Sequence, residues 1–157
     1  LYYYFPSKEA ALEEVCARGT DGFVEGAERV MQMDVPPLEK LRLLIASHLA
    51  PIQTMPDYVR VFINERRYLP DASRKRVGRK SRRIERFFEQ VIQDGIHDGS
   101  IRAGTDARLA MLAVLGMCNA VINWREADRA KDLGGMASGF AEIVAKGLTV
   151  AEAAPGR

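Results

Sequence analysis

From residue 107 to about 124 the chain reads ARLAMLAVLGMCNAVINW, and between Leu109 and Ile122 almost no polar side chain interrupts it. A helix that is apolar on every side has to be covered on every side. The run is shorter than the roughly eighteen or more residues a bilayer span needs, and it holds Asn119, so it reads as a buried helix of a globular protein. In a chain of 157 residues, burial all round points to one face against the domain core and another against a second subunit. Gly116 and Ala120, one turn apart, leave room for close helix approach there.

The rest of the chain alternates helical stripes with breakers. Leu12, Val15, Gly19 and Phe23 share a stripe of a first helix, expected over residues 8–33 and weakened in its middle by Gly19, Gly22 and Gly26. Pro36-Pro37 restarts the chain into a helix over residues 37–54, in which Pro51 predicts a kink or an early end. Val59, Phe62 and Ile63 mark a shorter helix over residues 57–67. Val77, Ile84, Phe87, Phe88, Val91 and Ile92 form the apolar row of a long helix over residues 71–98, closed by Gly99. Thr105 or Asp106 caps the apolar helix. Residues 128–135, with a Gly pair, read as a polar connection, and Phe140, Ile143, Val144, Gly147 and Leu148 as the stripe of a last helix over residues 136–148. Residues 151–157 read as a frayed tail. No period-2 alternation and no hairpin signal appears, so the fold class is all-α.

Length and composition set the remaining bounds. The chain is long enough for one domain with its own core and needs no disulfide or metal to hold it. Hydrophobic residues at 47% and charged residues at 28% place it among globular chains, and a net charge of +2 is too small to argue for nucleic-acid binding by this portion. Cys16 and Cys118 stand far apart without metal or redox spacing, which suggests a reducing cytoplasm. The opening residues carry no initiator methionine, secretory h-region or basic presequence, so a truncated start is expected.

The opening residues Leu1-Tyr2-Tyr3-Tyr4-Phe5-Pro6-Ser7-Lys8 carry the most specific signal. Three successive rings cannot share one buried face of a helix or a strand, so they fit a surface that stacks on or hydrogen-bonds to a partner. Pro6 forces Phe5 out of the helical region, and Ser7 is placed to cap a helix starting at about Lys8. The run LYYYFPSKEA resembles the junction between the recognition helix and the following helix of TetR-family transcriptional repressors. That resemblance implies that Tyr2, Tyr3, Tyr4 and Lys8 face DNA, with Leu1 and Phe5 as buried anchors. It further implies that residues 1–7 are the remnant of a helix-turn-helix domain, with a few dozen upstream residues absent from this sequence. Residues 8–157 would form a ligand-binding and dimerisation domain. The helix count, the apolar penultimate helix and the Phe140-x-x-Ile143-Val144-x-x-Gly147-Leu148 ending are similar to the regulatory half of the same family, whose last two helices pair with their symmetry mates as a four-helix bundle. The family resemblance implies a cytoplasmic homodimer without cofactor, released from operator DNA by a small hydrophobic or acyl-CoA-like effector. Gly116-Met117-Cys118-Asn119 followed by Trp124 is similar to acyl-CoA-responsive members, although Trp124-Arg125-Glu126-Ala127 stands where Trp-Tyr-Arg-Pro is expected.

The resemblance places the ligand site among the middle helices, where Phe62, Arg66, Phe88, Met117, Asn119 and Trp124 combine apolar walls with polar handles. Each has a plainer reading. Phe62, Phe88 and Met117 fit ordinary core, Asn119 fits a structural hydrogen bond as well as a ligand contact, and Trp124 fits the closed end of a bundle. His48, alone on a leucine-rich face, reads as a satisfied core residue. The cations between Arg74 and Arg86 read as a solvated face, with phosphate binding by Arg79 or Arg83 as the alternative.

Catalysis has no support. The serines lack a nucleophile elbow, there is no phosphate loop, and the glutamates do not form the Glu-x-x-His pairs of di-iron bundles. The expectation is not an enzyme. A helical module binding partners or lipid, with no DNA role, is the alternative; it has no use for exposed Tyr2 to Tyr4 beside Lys8.

Overall fold

The computed structural model describes residues 5–127 and 132–149, with the side chains of residues 122–127 outside that description. Among these described residues six helices follow in order: α1 (Lys8–Met31), α2 (Pro37–Thr54), α3 (Pro56–Glu65) continued by a 3-10 turn (Arg66–Tyr68), α4 (Asp71–Asp98), α5 (Ala107–Ala127) and α6 (Leu133–Leu148). Among the described residues there is no strand.

The helix ends follow local chemistry. Ser7 Oγ accepts from the Ala10 N–H at 3.1 Å and starts α1. Phe5, expected as a buried anchor, stands before that start and is 38% exposed. Gly99 closes α4 at φ +82, a left-handed conformation that costs glycine little, and the Ile101 N–H folds back to the Gly95 carbonyl at 2.8 Å. Asp106, rather than Thr105, caps α5, accepting from the Leu109 N–H at 3.0 Å. Two expectations change. Pro51 does not cut α2 short at its own position: it falls in the last turn, and the helix runs on to Thr54. Gly134 and Gly135 belong to α6 and not to a connection, because Asp132 accepts from both of their N–H groups, at 2.9 and 3.0 Å.

α2 is the hub, packing against α1, α4 and α6 and touching α3 and α5. Its Leu41, Leu44, Ile45 and Leu49 meet Phe88, Val91 and Ile92 of α4 and Cys118 and Val121 of α5 in one core. The glycines of α1 turn out to be contact points. A Cβ on Gly19 would lie 3.3 Å from the Tyr58 carbonyl oxygen of α3, and one on Gly26 would lie 3.4 Å from Ser47 Cβ of α2. An added Cβ at Gly19 would push the Tyr58 carbonyl back by a few tenths of an ångström, and one at Gly26 would only just reach ordinary contact, so the glycines let the helices approach closely, which offsets the helix propensity they give up.

The opposite flank of α1 meets α4 through charge. Arg76 pairs with Glu13 at 3.2 Å, Lys80 with Asp21, and Arg83 with Glu28 at 2.8 Å. Part of the basic run is thus committed to α1. Lys75, Arg79, Arg82 and Arg86 form a separate exposed stripe on the outer face of α4.

α5 buries Met111, Val114, Leu115, Cys118 and Val121, yet Leu109 is 65% exposed and Leu112 51%. On α6, Ala141 and Ala145 are buried while Ile143 is 63% exposed. Each of the last two helices therefore keeps an apolar face that one chain does not cover. No helix among the described residues is long and apolar enough to cross a membrane.

Candidate effector site

A cavity of about 530 Å³ opens between the helices, with walls from α1 to α5. Thr20 and Phe23 come from α1, His48 from α2, Phe62 and Ile63 from α3, and Arg66 from the 3-10 turn. Ser81, Ile84 and Glu85 of α4 face Leu115, Gly116, Asn119 and Ala120 of α5 across it. The helical period explains why these residues share a wall: Ser81, Ile84 and Glu85 lie three and four apart, as do Leu115, Asn119 and their neighbours.

The cavity has unlike ends. Arg66 is exposed, and its guanidinium carbon sits 5.5 Å from the Phe62 ring centroid. No carboxylate among the described residues pairs with it. A cation resting on an aromatic face keeps its N–H donors free for an anion. His48, by contrast, is buried. Its ring lies 4.9 Å from the Phe23 ring and meets Phe88 edge-on at 6.0 Å. Nε2 is 3.1 Å from Asn119 Oδ1, so in this orientation the ring N–H donates and the amide oxygen accepts. Burial pushes the His48 pKa below its ordinary value, and the hydrogen bond it donates to Asn119 only partly opposes that shift. The ring is neutral at pH 7. Thr20, the other buried polar residue on the wall, is already spent on the Cys16 carbonyl at 2.6 Å.

Of the residues expected at the site, Phe62, Arg66 and Asn119 line the cavity. Phe88 lies behind it, fully buried against His48, because it belongs to the core stripe of α4 while Ser81 and Glu85 turn toward the opening. Met117 is not among the lining residues, since it projects from α5 away from Leu115 and Asn119. Trp124 lies on α5, but its side chain falls outside the described residues, as do Tyr2, Tyr3 and Tyr4 altogether. Lys8 is exposed in the first turn of α1. His48, Thr20 and Phe23 were not expected as lining residues. The sequence signal for His48, a polar ring among leucines, is the same whether the ring faces a core or a cavity.

Neither cysteine offers reactive chemistry. Both are free and buried, and burial pushes the Cys118 thiol up to about 12. No group of three or more His, Cys, Asp or Glu among the described residues is arranged to hold a metal.

Comparison with known proteins points the same way as the helix arrangement. Residues 34–148 match the tetracyclin repressor-like, C-terminal domain family. The fatty acid metabolism regulator protein of Bacillus subtilis is 24% identical over 149 residues, covering 94% of this chain and 77% of the relative. The crystal structure of the transcriptional regulator FadR from Bacillus subtilis in complex with stearoyl-CoA superimposes with a TM-score of 0.75 at 23% identity, over 92% of this chain and 78% of that one. The structure of AibR in complex with isovaleryl coenzyme A and operator DNA does so with a TM-score of 0.77 at 22% identity, over 90% and 77%. At these identities the structural likeness speaks for the fold. The match over residues 34–148 carries the assignment, and it disfavours a helical module without a DNA role: the chain belongs to the tetracyclin repressor-like family of transcriptional regulators, with residues 34–148 matching the family's C-terminal domain.

Proposed function

We propose that this chain is the effector-binding and dimerisation domain of a repressor that leaves its operator when an acyl-CoA-like ligand fills the cavity between α1 and α5. The observation that carries this reading is the cavity itself. Its volume of about 530 Å³ falls within the roughly 300–1,000 Å³ of small-molecule sites. Its walls are Phe23, Phe62, Ile63, Ile84 and Leu115, and an unpaired Arg66 stands at the exposed end. An aliphatic chain would take the apolar walls and an anionic headgroup would meet Arg66. The relatives crystallised with isovaleryl coenzyme A and stearoyl-CoA lend support to that ligand class.

In this reading the uncovered faces of α5 and α6 meet their copies in a second subunit. Leu109, Leu112 and Ile143 would be buried there, while Gly116 and Ala120 line the cavity instead. Tyr2, Tyr3, Tyr4 and Lys8 lie at the end of the chain that leads toward DNA. α1 connects that end to the cavity through Thr20 and Phe23. A ligand that separates α1 from α4 would therefore tilt α1 and change the spacing of the two DNA-reading helices. Such a switch requires the ligand to bind the DNA-free arrangement more tightly, typically by about 1 to 3 kcal/mol of coupling.

Equilibrium titration with octanoyl-CoA and with coenzyme A alone tests the reading. Saturable binding of octanoyl-CoA, weakened by Arg66→Ala and far weaker for coenzyme A alone, is the expected result. Equal binding of the two ligands, or none, would overturn it.

A further inference from the structure

The walls of a site for a plain hydrocarbon tail need no hydrogen-bonding groups, yet this cavity has a polar pair on its wall. Asn119 uses its oxygen on His48 Nε2. Its two amide N–H donors have no protein partner among the described residues, and neither does the other ring nitrogen of His48. Phe23 and Phe88 pack against the imidazole on two sides, so the ring cannot swing away to find water. His48 in turn fixes the amide: with the oxygen held, the N–H groups of Asn119 must point elsewhere, and both residues line the cavity.

We infer that the His48–Asn119 pair recognises a carbonyl oxygen of the bound acyl ligand, with the Asn119 amide donating to that oxygen and His48 positioning the amide. This rests on the acyl-CoA reading above and adds to it a requirement on the ligand. An alkyl chain laid against the pair would strip water from the Asn119 N–H groups and return no hydrogen bond, whereas a carbonyl seated there replaces the water with a matched acceptor. Within the acyl group two carbonyls have this chemistry, the thioester carbonyl and a keto group farther along the chain.

Three ligands separate the possibilities on the intact protein: octanoyl-CoA, its thioether counterpart S-octyl-CoA, and 5-oxo-octanoyl-CoA. Their dissociation constants are compared for the wild type, Asn119→Leu and Asn119→Asp. The Asp variant keeps an oxygen for His48 and removes the N–H donors, so a purely structural role for Asn119 would leave it binding like the wild type. Asn119 is exposed, so neither substitution opens a hole in the core, and thermal melts check that each variant is folded. Where the thioester carbonyl is read, octanoyl-CoA binds on the order of tenfold more tightly than S-octyl-CoA, and both variants erase the difference. Where a chain keto group is read, 5-oxo-octanoyl-CoA alone gains that factor, and both variants erase it. If the wild type binds all three alike, or Asn119→Asp retains the wild-type preference, the inference is wrong while the acyl-CoA reading stands. If the wild type binds none of them, both are wrong.

Discussion

The two flanks of α1 are built from opposite materials. Toward α2 and α3 the helix presents Gly19 and Gly26, and backbone meets backbone or Cβ at van der Waals distance. Toward α4 it presents Glu13, Asp21 and Glu28, which reach long Arg76, Lys80 and Arg83 side chains across partly exposed space. Close packing of that kind tolerates almost no displacement, because neighbouring atoms cannot give. Ion pairs on flexible stems can lengthen, re-form or exchange with water at little cost. The cavity lies on the yielding side, with Thr20 and Phe23 of α1 facing Ser81 and Ile84 of α4. A ligand entering it would move α1 away from α4 while α1 keeps its grip on α2 and α3.

The largest expected effect comes from breaking the rigid flank. Gly19→Leu forces a branched side chain against the Tyr58 carbonyl and Phe62 and should cost about 3 kcal/mol or more, seen as a fall in the urea midpoint. Gly78→Ala in α4 is the control: an added Cβ there meets only the flexible end of Arg82, at 3.4 Å, so the gain in helix propensity should show as a stabilisation of about 0.5 to 1 kcal/mol. A destabilised Gly78→Ala, or a neutral Gly19→Leu, would remove the distinction between the flanks.

A smaller effect concerns the cavity wall between them. His48 is neutral and buried, and its folded pKa lies below the unfolded value of 6.5. Its contribution to stability is therefore complete above about pH 6.5 and is lost as pH falls from there toward the folded value. Glu85 and Arg66 line the same cavity, so the comparison must isolate the ring. Between pH 7.5 and 5.5 the wild type should lose more stability than His48→Gln, measured by denaturant midpoints; equal losses would mean the ring is not held neutral.

Smallest is the effect on the yielding flank. Lys80→Ala removes its pair with Asp21, yet these side chains are 36% and 46% exposed, so the loss should be about 0.2 to 1 kcal/mol and should fade in 1 M salt. A loss of several kcal/mol, unchanged by salt, would make the ion pairs structural and leave α1 no direction in which to move.

Much of this architecture was legible in the chain because it depends on neighbours in sequence. Pro70 and Gly99 delimit α4, and Ser7 starts α1, through contacts within a few residues. What depends on distant partners was not legible. Gly19 and Gly26 look like weak points until Tyr58 and Ser47 stand opposite them. Gly134-Gly135 looks like a break until Asp132 holds both N–H groups. At the site, Phe62, Arg66 and Asn119 were named from the resemblance and all line the cavity, but the choice between Phe88 and Ser81 depends on how α4 is rotated, which periodicity fixes only to within a face. His48 could not be placed because its meaning is set by Asn119, far along the chain.

The central claim, that a ligand in this cavity shifts α1 against α4, is open to direct measurement. Glu25 and Arg79 are exposed on the two helices, and the native thiols at Cys16 and Cys118 are buried, so Glu25→Cys and Arg79→Cys can carry spin labels selectively. Saturating octanoyl-CoA should move the distance distribution between the labels, while a second pair on α1 and α2, at Glu25 and the exposed Glu39, should hold its distance. If octanoyl-CoA binds and the α1 to α4 distance stays where it was, the account is contradicted.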